Sequence, residues 1–320
     1  VHVPSGTTYG TTTGTNGVYF MPSMRVGGPY KVTISFVGYK DAVYDDVYLN
    51  LGTTFNLDAQ LSESQIELQE VVVTGVRSNV FSSDRTGAAT SITGEYIAAL
   101  PTINRSINDF TKLTPQASGR SFVGQDARLN NITIDGSIFN NSFGLADQPG
   151  GRTGTAPISL DAIEEIQVSI APFDVRQAGF VGAGVNAVTK SGTNDFSGAA
   201  FYTVRNQSWI GDKAYGVDVT SQDFNVAQYG FRLGGPIIKN KLFFFVNGEF
   251  ETDSRPATSY RANLGGETVG GNVTRVLKSD LDNLSTFLKD NFNYETGPYQ
   301  GYNNEMKGNK FLVKLDYNIS

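Results

Sequence analysis

The side chains that usually perform acid–base or nucleophilic chemistry are scarce in this sequence. The only histidine is His2, and cysteine is absent. Zinc and iron sites are generally built from His and Cys ligands, and a Ser or Cys nucleophile needs a neighbouring base. We therefore expect no metal centre, no catalytic triad and no cofactor.

Two patterns resemble functional motifs but have simpler explanations. The acidic pairs Asp45-Asp46 and Glu164-Glu165 are adjacent in sequence, which is more typical of solvated faces or helix starts than of a catalytic dyad. Residues 179–184 have the glycine spacing of a phosphate loop, but they lead into a β-like run. A phosphate loop needs the N-terminus of a helix at that point. We predict that the protein is not an enzyme.

Composition narrows the class of protein further. The chain has 25 Lys and Arg against 31 Asp and Glu, a net charge of −6, which argues against a nucleic-acid partner. It also has 36 Gly, 21 Phe and 15 Tyr, residues that suit strands, tight turns and aromatic girdles. No apolar run approaches the roughly 20 residues of a transmembrane helix, and no signal peptide is visible. The chain opens and stops beside β-like runs, so we interpret it as a fragment of a longer protein.

The first part of the chain, residues 1–66, is predicted to be a small all-β module. Residues 18–20, 30–37 and 47–51 are β-rich, and Phe55, Leu57, Ala59 and Leu61 alternate on one face of a further predicted strand. The fold predicted for this module is a β-sandwich. After a polar connector comes the short β-branched run 70–75, which has no obvious hairpin partner.

The next part, residues 78–192, is predicted to be mixed α and β. Short helices are expected over residues 93–100 and 106–113, each stopped by a proline. Asn131 to Gly136 is predicted to be a strand that enters an Asp-Gly turn. Ser159 is a candidate N-cap for a helix that includes Ala162, Ile163 and Ile166, followed by a strand over residues 166–170. Residues 180–189 are Gly-rich and β-like.

From about residue 195 the apolar residues repeat every second position. The predicted strands are residues 196–206, 227–237, 241–251 and 310–319, close to the roughly 9–11 residues of a membrane-spanning strand. A soluble half-buried sheet alternates in the same way. The connections, however, alternate between long and short, as in outer-membrane barrels, and the last long one contains a predicted helix over residues 279–292. Residues expected to face lipid are Tyr229, Phe231, Leu233, Phe311, Val313 and Leu315. Residues expected to face inward are Arg232, Glu249 and Lys314.

Several of these segments resemble one known family. Residues 30–39 resemble a carboxypeptidase-regulatory-like domain. Residues 132–136, 163–168 and 182–192 resemble the plug of the TonB-dependent receptors of Bacteroidetes-type bacteria. Residues 234–245 resemble the first barrel hairpin of their Oar-like branch. The resemblance implies a mainly β protein with four parts: an N-terminally truncated regulatory-like β-sandwich (1–66), a linker with a TonB-box-like segment (67–77), a mixed α/β plug (78–192), and the first strands and external loops of an incomplete antiparallel transmembrane β-barrel (193–320).

The resemblance also implies a function. It predicts an outer-membrane transporter that imports a scarce solute through a plugged barrel of about 22 strands. The energy would come through TonB, with ExbB and ExbD, acting on a coupling segment of five residues, which are Glu70, Val71, Val72, Val73 and Thr74. The alternative for Val71 to Val73 is an ordinary buried strand of the plug. Further expected partners are membrane lipid, an unknown solute, peptide or glycan, and other outer-membrane lipoproteins. The alternative function is a surface adhesin or glycan-binding β protein without energy coupling.

Overall fold

The computed structural model describes residues 1–63, 71–74, 88–141, 143–170, 172, 177–211, 213–218 and 223–319. The chain divides into two compact units, each described below by itself. The first comprises Val1–Ala199, Phe231–Gly248 and Lys310–Ser320, and the second comprises Ala200–Gly230 and Glu249–Asn309. The fold is mainly β with few helices, as predicted from the sequence.

The N-terminal region forms a three-stranded sheet in the order β1-β2-β3. β1 (Gly27–Ile34) pairs antiparallel with β2 (Ala42–Leu49), and β3 (Val71–Thr74) pairs parallel with β2. Its core contains the buried side chains of Tyr30 and Val47. Burying apolar side chains of this kind stabilises a fold by about 1.5–3 kcal/mol each.

Two of the strand predictions for this region were wrong. Neither residues 18–20 nor residues 53–61 form a strand. Phe55, Leu57 and Leu61 nevertheless pack against the core of the sheet, so the alternation predicted the buried face correctly. Alternation requires only an extended backbone, whereas a ladder also needs a partner strand in register. The predicted two-layer sandwich remains a prediction.

The middle of the chain forms a five-stranded mixed sheet in the order β4-β9-β10-β7-β8. β10 pairs parallel with β7, whereas β4 and β10 both pair antiparallel with β9. Asp135 and Gly136 have positive φ angles of 48° and 80° and form the turn between β7 and β8, as the Asp-Gly pair predicted. A separate two-stranded hairpin, β5-β6, precedes β7. The bounds are β4 Ala88–Thr93, β5 Ala117–Ser118, β6 Ser121–Phe122, β7 Asn131–Ile134, β8 Ser137–Ile138, β9 Ile163–Ile170 and β10 Ala183–Thr189.

Two short helices flank this sheet where the sequence predicted them. They are α1 (Gly94–Ala99) and α2 (Ile107–Thr111). α2 begins with a capping box, in which Ser106 Oγ accepts from the Asn108 N–H and Asp109 accepts from the Ser106 N–H. Satisfying the free N–H groups of the first turn stabilises so short a helix. Phe110 on α2 then packs into the core of the sheet.

The helix predicted after Ser159 was wrong. A single 3-10 turn, Leu160–Ala162, is followed at once by β9, and Ser159 makes no side-chain cap. β9 has neighbours on both edges, and Ile166 and Val168 are fully buried. Pairing on both edges and burial of a β-branched run outweigh the local helix signal, because propensity is the weaker term. The Glu164-Glu165 pair therefore lies in a strand and not at a helix start.

The last part of the chain contributes a four-stranded sheet in the order β11-β14-β15-β18. The sheet is open in the described residues. Each of its strands overlaps one of the four predicted from the two-residue repeat, with ends that differ by at most seven residues, and three strands are longer than predicted. The bounds are β11 Ser197–Asn206, β14 Asn225–Ile238, β15 Leu242–Pro256 and β18 Asn303–Tyr317.

The two faces of these strands differ as the alternation predicted. The six apolar residues expected to face lipid are each between 43% and 72% exposed, namely Tyr229, Phe231, Leu233, Phe311, Val313 and Leu315. Phe243, Phe245 and Glu249 on the opposite face of β15 are buried, and Phe245 belongs to the core of the mixed sheet.

The second unit holds the remaining parts of these strands and their long connections. The short pairs are β12 (Lys213–Ala214) with β13 (Val217–Asp218) and β16 (Arg261–Asn263) with β17 (Val273–Leu277). The predicted loop helix is α3 (Lys278–Phe292). Among the helices of the described residues, none is both long and apolar enough to span a bilayer.

Candidate coupling strand and charged interface

The predicted coupling segment contains the edge strand of the N-terminal sheet. Val71, Val72 and Val73 of β3 lie opposite Ala42, Val43 and Tyr44 of β2. Glu70 lies outside the described residues. The sequence offered no partner for this run, and its alternative reading was a strand of the plug. The structure instead pairs it with the N-terminal sheet, where, among the described residues, β3 is hydrogen-bonded to β2 alone.

A three-residue cluster joins the mixed sheet to the inner face of β18. Asp135 accepts hydrogen bonds from the backbone N–H and the hydroxyl of Thr189, the last residue of β10. Lys314 Nζ donates to the carbonyl of Thr189 at 3.3 Å and to its hydroxyl at 3.2 Å. A charged donor strengthens such bonds. Lys314 therefore faces the mixed sheet, as predicted for an inward-facing residue of β18.

Further charges surround this cluster. Arg25 of the N-terminal region lies 3.4 Å from Asp316 on β18, and Arg105 lies 2.9 Å from Asp161. Burial lowers the pKa of Lys190, and the positive charge of Arg232 lowers it further, while Glu164 and Asp161 oppose this shift. The region is thus an interface of paired charges. Water can solvate the two charges of such a pair, so separating them costs less free energy than separating two apolar surfaces.

The only histidine contributes to packing at the edge of this interface. His2 Nδ1 is 2.7 Å from Ser5 Oγ, and its ring lies against Tyr30. Burial and the charge of Arg25 lower its pKa to about 4. Arg25, Glu164, Lys314 and Asp316 line a cavity of about 390 Å³ together with His2. In the described residues, no group of three or more His, Cys, Asp or Glu side chains could hold a metal ion.

Sequence reasoning missed most of this interface. It identified Arg232 and Lys314 as inward-facing, but it treated Asp135 as a turn residue and did not single out Thr189 or Arg25. The Asp-Gly pair carried a signal for a positive φ angle but none for its distant partner, since residues 135 and 189 are 54 positions apart.

Family models match both ends of the chain. A carboxypeptidase regulatory-like domain matches residues 1–62, and an outer membrane beta barrel domain matches residues 188–304. The mixed sheet starts at Ala88 and lies between the two matched regions, except that the last two residues of β10 fall within the barrel match.

Two curated proteins are similar to the chain. It is 25% identical over 253 residues to the TonB-dependent transporter Oar of Myxococcus xanthus, covering 73% of this chain and 23% of that protein. It is 26% identical over 201 residues to the probable TonB-dependent siderophore receptor PirA of Acinetobacter baumannii, covering 56% of this chain and 25% of that protein. The chain thus spans about a quarter of the length of these relatives.

Solved structures of the same kind also match. The siderophore receptor PirA from Acinetobacter baumannii matches 52% of this chain and 24% of that chain, with 24% identity and a TM-score of 0.41. The outer membrane transporter YddB from Escherichia coli matches 57% of this chain and 28% of that chain, with 17% identity and a TM-score of 0.43.

The family models and the curated relatives first define a class, the proteins of the bacterial outer membrane that carry a β-barrel domain. Within that class the chain is related to the TonB-dependent receptors, and it has a carboxypeptidase regulatory-like domain at its N-terminal end, as the sequence predicted.

Proposed function

We propose that the protein is a TonB-dependent outer-membrane transporter that imports a scarce solute. The observation that carries this proposal is the contact of the mixed sheet with the inner face of the barrel strands. Phe245 belongs to the core of that sheet, and Lys314 binds Thr189. A domain that fills the inner side of a barrel is a plug, and the mixed sheet with its helices is the plug in this proposal.

The coupling element is Val71–Thr74 in this proposal. A short edge strand can pair with a strand of a partner protein through its free backbone groups. TonB, energised by ExbB and ExbD, is the proposed partner on the periplasmic side. Since backbone hydrogen bonds hold the two strands together, the identity of the side chains matters less than an extended backbone with free N–H donors.

The transporter reading does not include catalysis. The similar proteins are transporters and receptors, and they favour this reading over the alternative of a surface adhesin or glycan-binding protein. The solute, an accessory lipoprotein and a source among Bacteroidetes-type bacteria remain predictions.

Replacing Val72 by Pro tests the coupling strand. Proline removes one backbone N–H and resists regular pairing. The full-length receptor, embedded in lipid nanodiscs that leave both of its sides accessible, is titrated with the purified periplasmic domain of TonB. We expect the wild type to bind and the variant to bind at least about tenfold more weakly. The variant loses a backbone hydrogen bond, and its proline cannot adopt the regular geometry of a paired strand.

The matched control is Val72→Ala, which shortens the side chain and keeps the backbone donor. It should retain most of the affinity. Equal binding of wild type and Val72→Pro would show that this strand is not the coupling segment, and absence of binding by wild type would refute the TonB-dependent mechanism.

A further inference from the structure

One face of the mixed sheet is polar and yet buried along β9. Ile166 and Val168 of β9 point into the apolar core, so the intervening Glu165, Gln167 and Ser169 point to the other face. These three are only 2%, 5% and 6% exposed. Polar residues on an alternating strand normally face water.

The N-terminal region covers this face through residues 50–52, here called the docking loop. Gln167 Nε2 donates to the carbonyl of Leu51 at 3.0 Å, and the carboxylate of Glu165 accepts from the backbone N–H of Leu51. Gly52 lies so close that an added Cβ would sit 2.8 Å from Gln167 Cδ. Two side chains of β9 thus grip one residue of the docking loop from both sides.

This contact is specific but poorly suited to permanent attachment. Glu165 Oε1 is buried and has no hydrogen-bond partner among the described residues. A buried polar group without a partner destabilises the closed arrangement relative to one in which water reaches it. Burial also raises the pKa of Glu165 to about 7, with a further contribution from Glu164. Uncovering the polar face would return these groups to water.

The docking loop is directly connected to the proposed coupling strand. β2 ends at Leu49, immediately before the loop, and β3 is hydrogen-bonded to β2. A force applied to β3 therefore reaches the docking loop through one strand ladder. Contiguous hydrogen-bonded elements of this kind are a physical route for coupling.

We propose that Glu165 and Gln167 form a release latch, which holds the N-terminal domain on the polar face of the mixed sheet and opens when β3 is pulled. This inference rests on the proposed function. The N-terminal domain leaves as a unit, so its separation from β9 precedes any unravelling of the mixed sheet.

The experiment pulls on single molecules of the full-length protein embedded in a lipid bilayer. The sequence has no cysteine over residues 1–320, so Thr74→Cys provides a unique point for a DNA handle once any cysteine elsewhere in the full-length protein is replaced by serine, and this handle does not depend on TonB. At pH 8, we expect the molecule to lengthen in a first step at low force, when the N-terminal domain separates from β9, before the steps in which the mixed sheet unfolds. Glu165→Gln keeps an acceptor for Leu51 but is neutral, and it should lengthen the lifetime of that step roughly five- to thirtyfold.

Gly52→Ala should shorten the lifetime of the first step, because its Cβ would displace the amide of Gln167 that donates to Leu51. Gly17→Ala is the matched control, since both glycines have positive φ but Gly17 has no atom within 4 Å of its added Cβ. It should leave that lifetime unchanged. An unchanged lifetime in Glu165→Gln, or in Gly52→Ala, would overturn the latch. Failure of TonB to bind β3 would refute only the proposed function.

Discussion

Gly192 lies where the chain passes from the mixed sheet to the first barrel strand, and it leaves no room for a side chain. A Cβ added there would sit 2.7 Å from the carbonyl oxygen of Gly235 and closer still to that of Phe244. Both atoms are backbone atoms of neighbouring strands, β14 and β15, so they can move only if the ladder deforms. The φ angle of Gly192 is not positive, so the obstacle is steric.

We expect Gly192→Ala to lower the free energy of unfolding by about 1–3 kcal/mol, the usual effect of one extra carbon in a tightly packed place. The barrel sheet should lose order first, because the clash is with its ladder. The measurement is urea unfolding of the full-length protein in lipid vesicles, followed by protease resistance of the folded form.

Gly10→Ala is the matched control. Gly10 also has no positive φ, and an added Cβ meets nothing within 4 Å. This variant should be neutral or slightly stabilising, by at most about 1 kcal/mol, because alanine restricts the unfolded chain. Equal effects of the two substitutions would refute the reasoning, since only the surroundings of the two glycines differ.

Three further predictions concern charge and topology. The pKa of Glu165 is raised from 4.5 to about 7, so its protonated form stabilises the fold fully below pH 4.5 and this contribution is lost as the pH rises through 7. Between pH 4.5 and 8, the free energy of unfolding of wild type should therefore fall by roughly 3 kcal/mol relative to that of Glu165→Gln, as measured by urea titration. Lys314→Met should lower the free energy of unfolding by about 1.5–3 kcal/mol, because Thr189 loses a charged donor, while the exposed Lys31→Met should change it by less than about 0.5 kcal/mol. On intact cells, an impermeant thiol reagent should label Asn283→Cys in the long loop but not Lys239→Cys in the short turn, and the reverse pattern would invert the topology.

Local pattern was sufficient for the barrel strands and their faces. Phe231 and Leu233 alternate with Arg232 so regularly that only one face can be apolar, and the structure exposes that face. The capping box at Ser106 and the Asp135-Gly136 turn were also predictable, because each rests on hydrogen bonds or φ angles within a few residues.

Tertiary structure decided the features that depend on distant partners. The run 163–170 had a helix signal at its start, and pairing with β4 and β10 made it a strand. Residues 53–61 had the alternation of a strand and found no partner in register. The partner of Val71–Thr74 is β2, about 30 positions earlier, and no pattern within the run could name it. Glu165 shows the same limit: its sequence context indicated a solvated face or a helix start, whereas the structure buries it in a strand and bonds it to Leu51, more than 100 positions away. Sequence determines the period and the local bonds of each segment, but the free energy of pairing and burial belongs to contacts between segments.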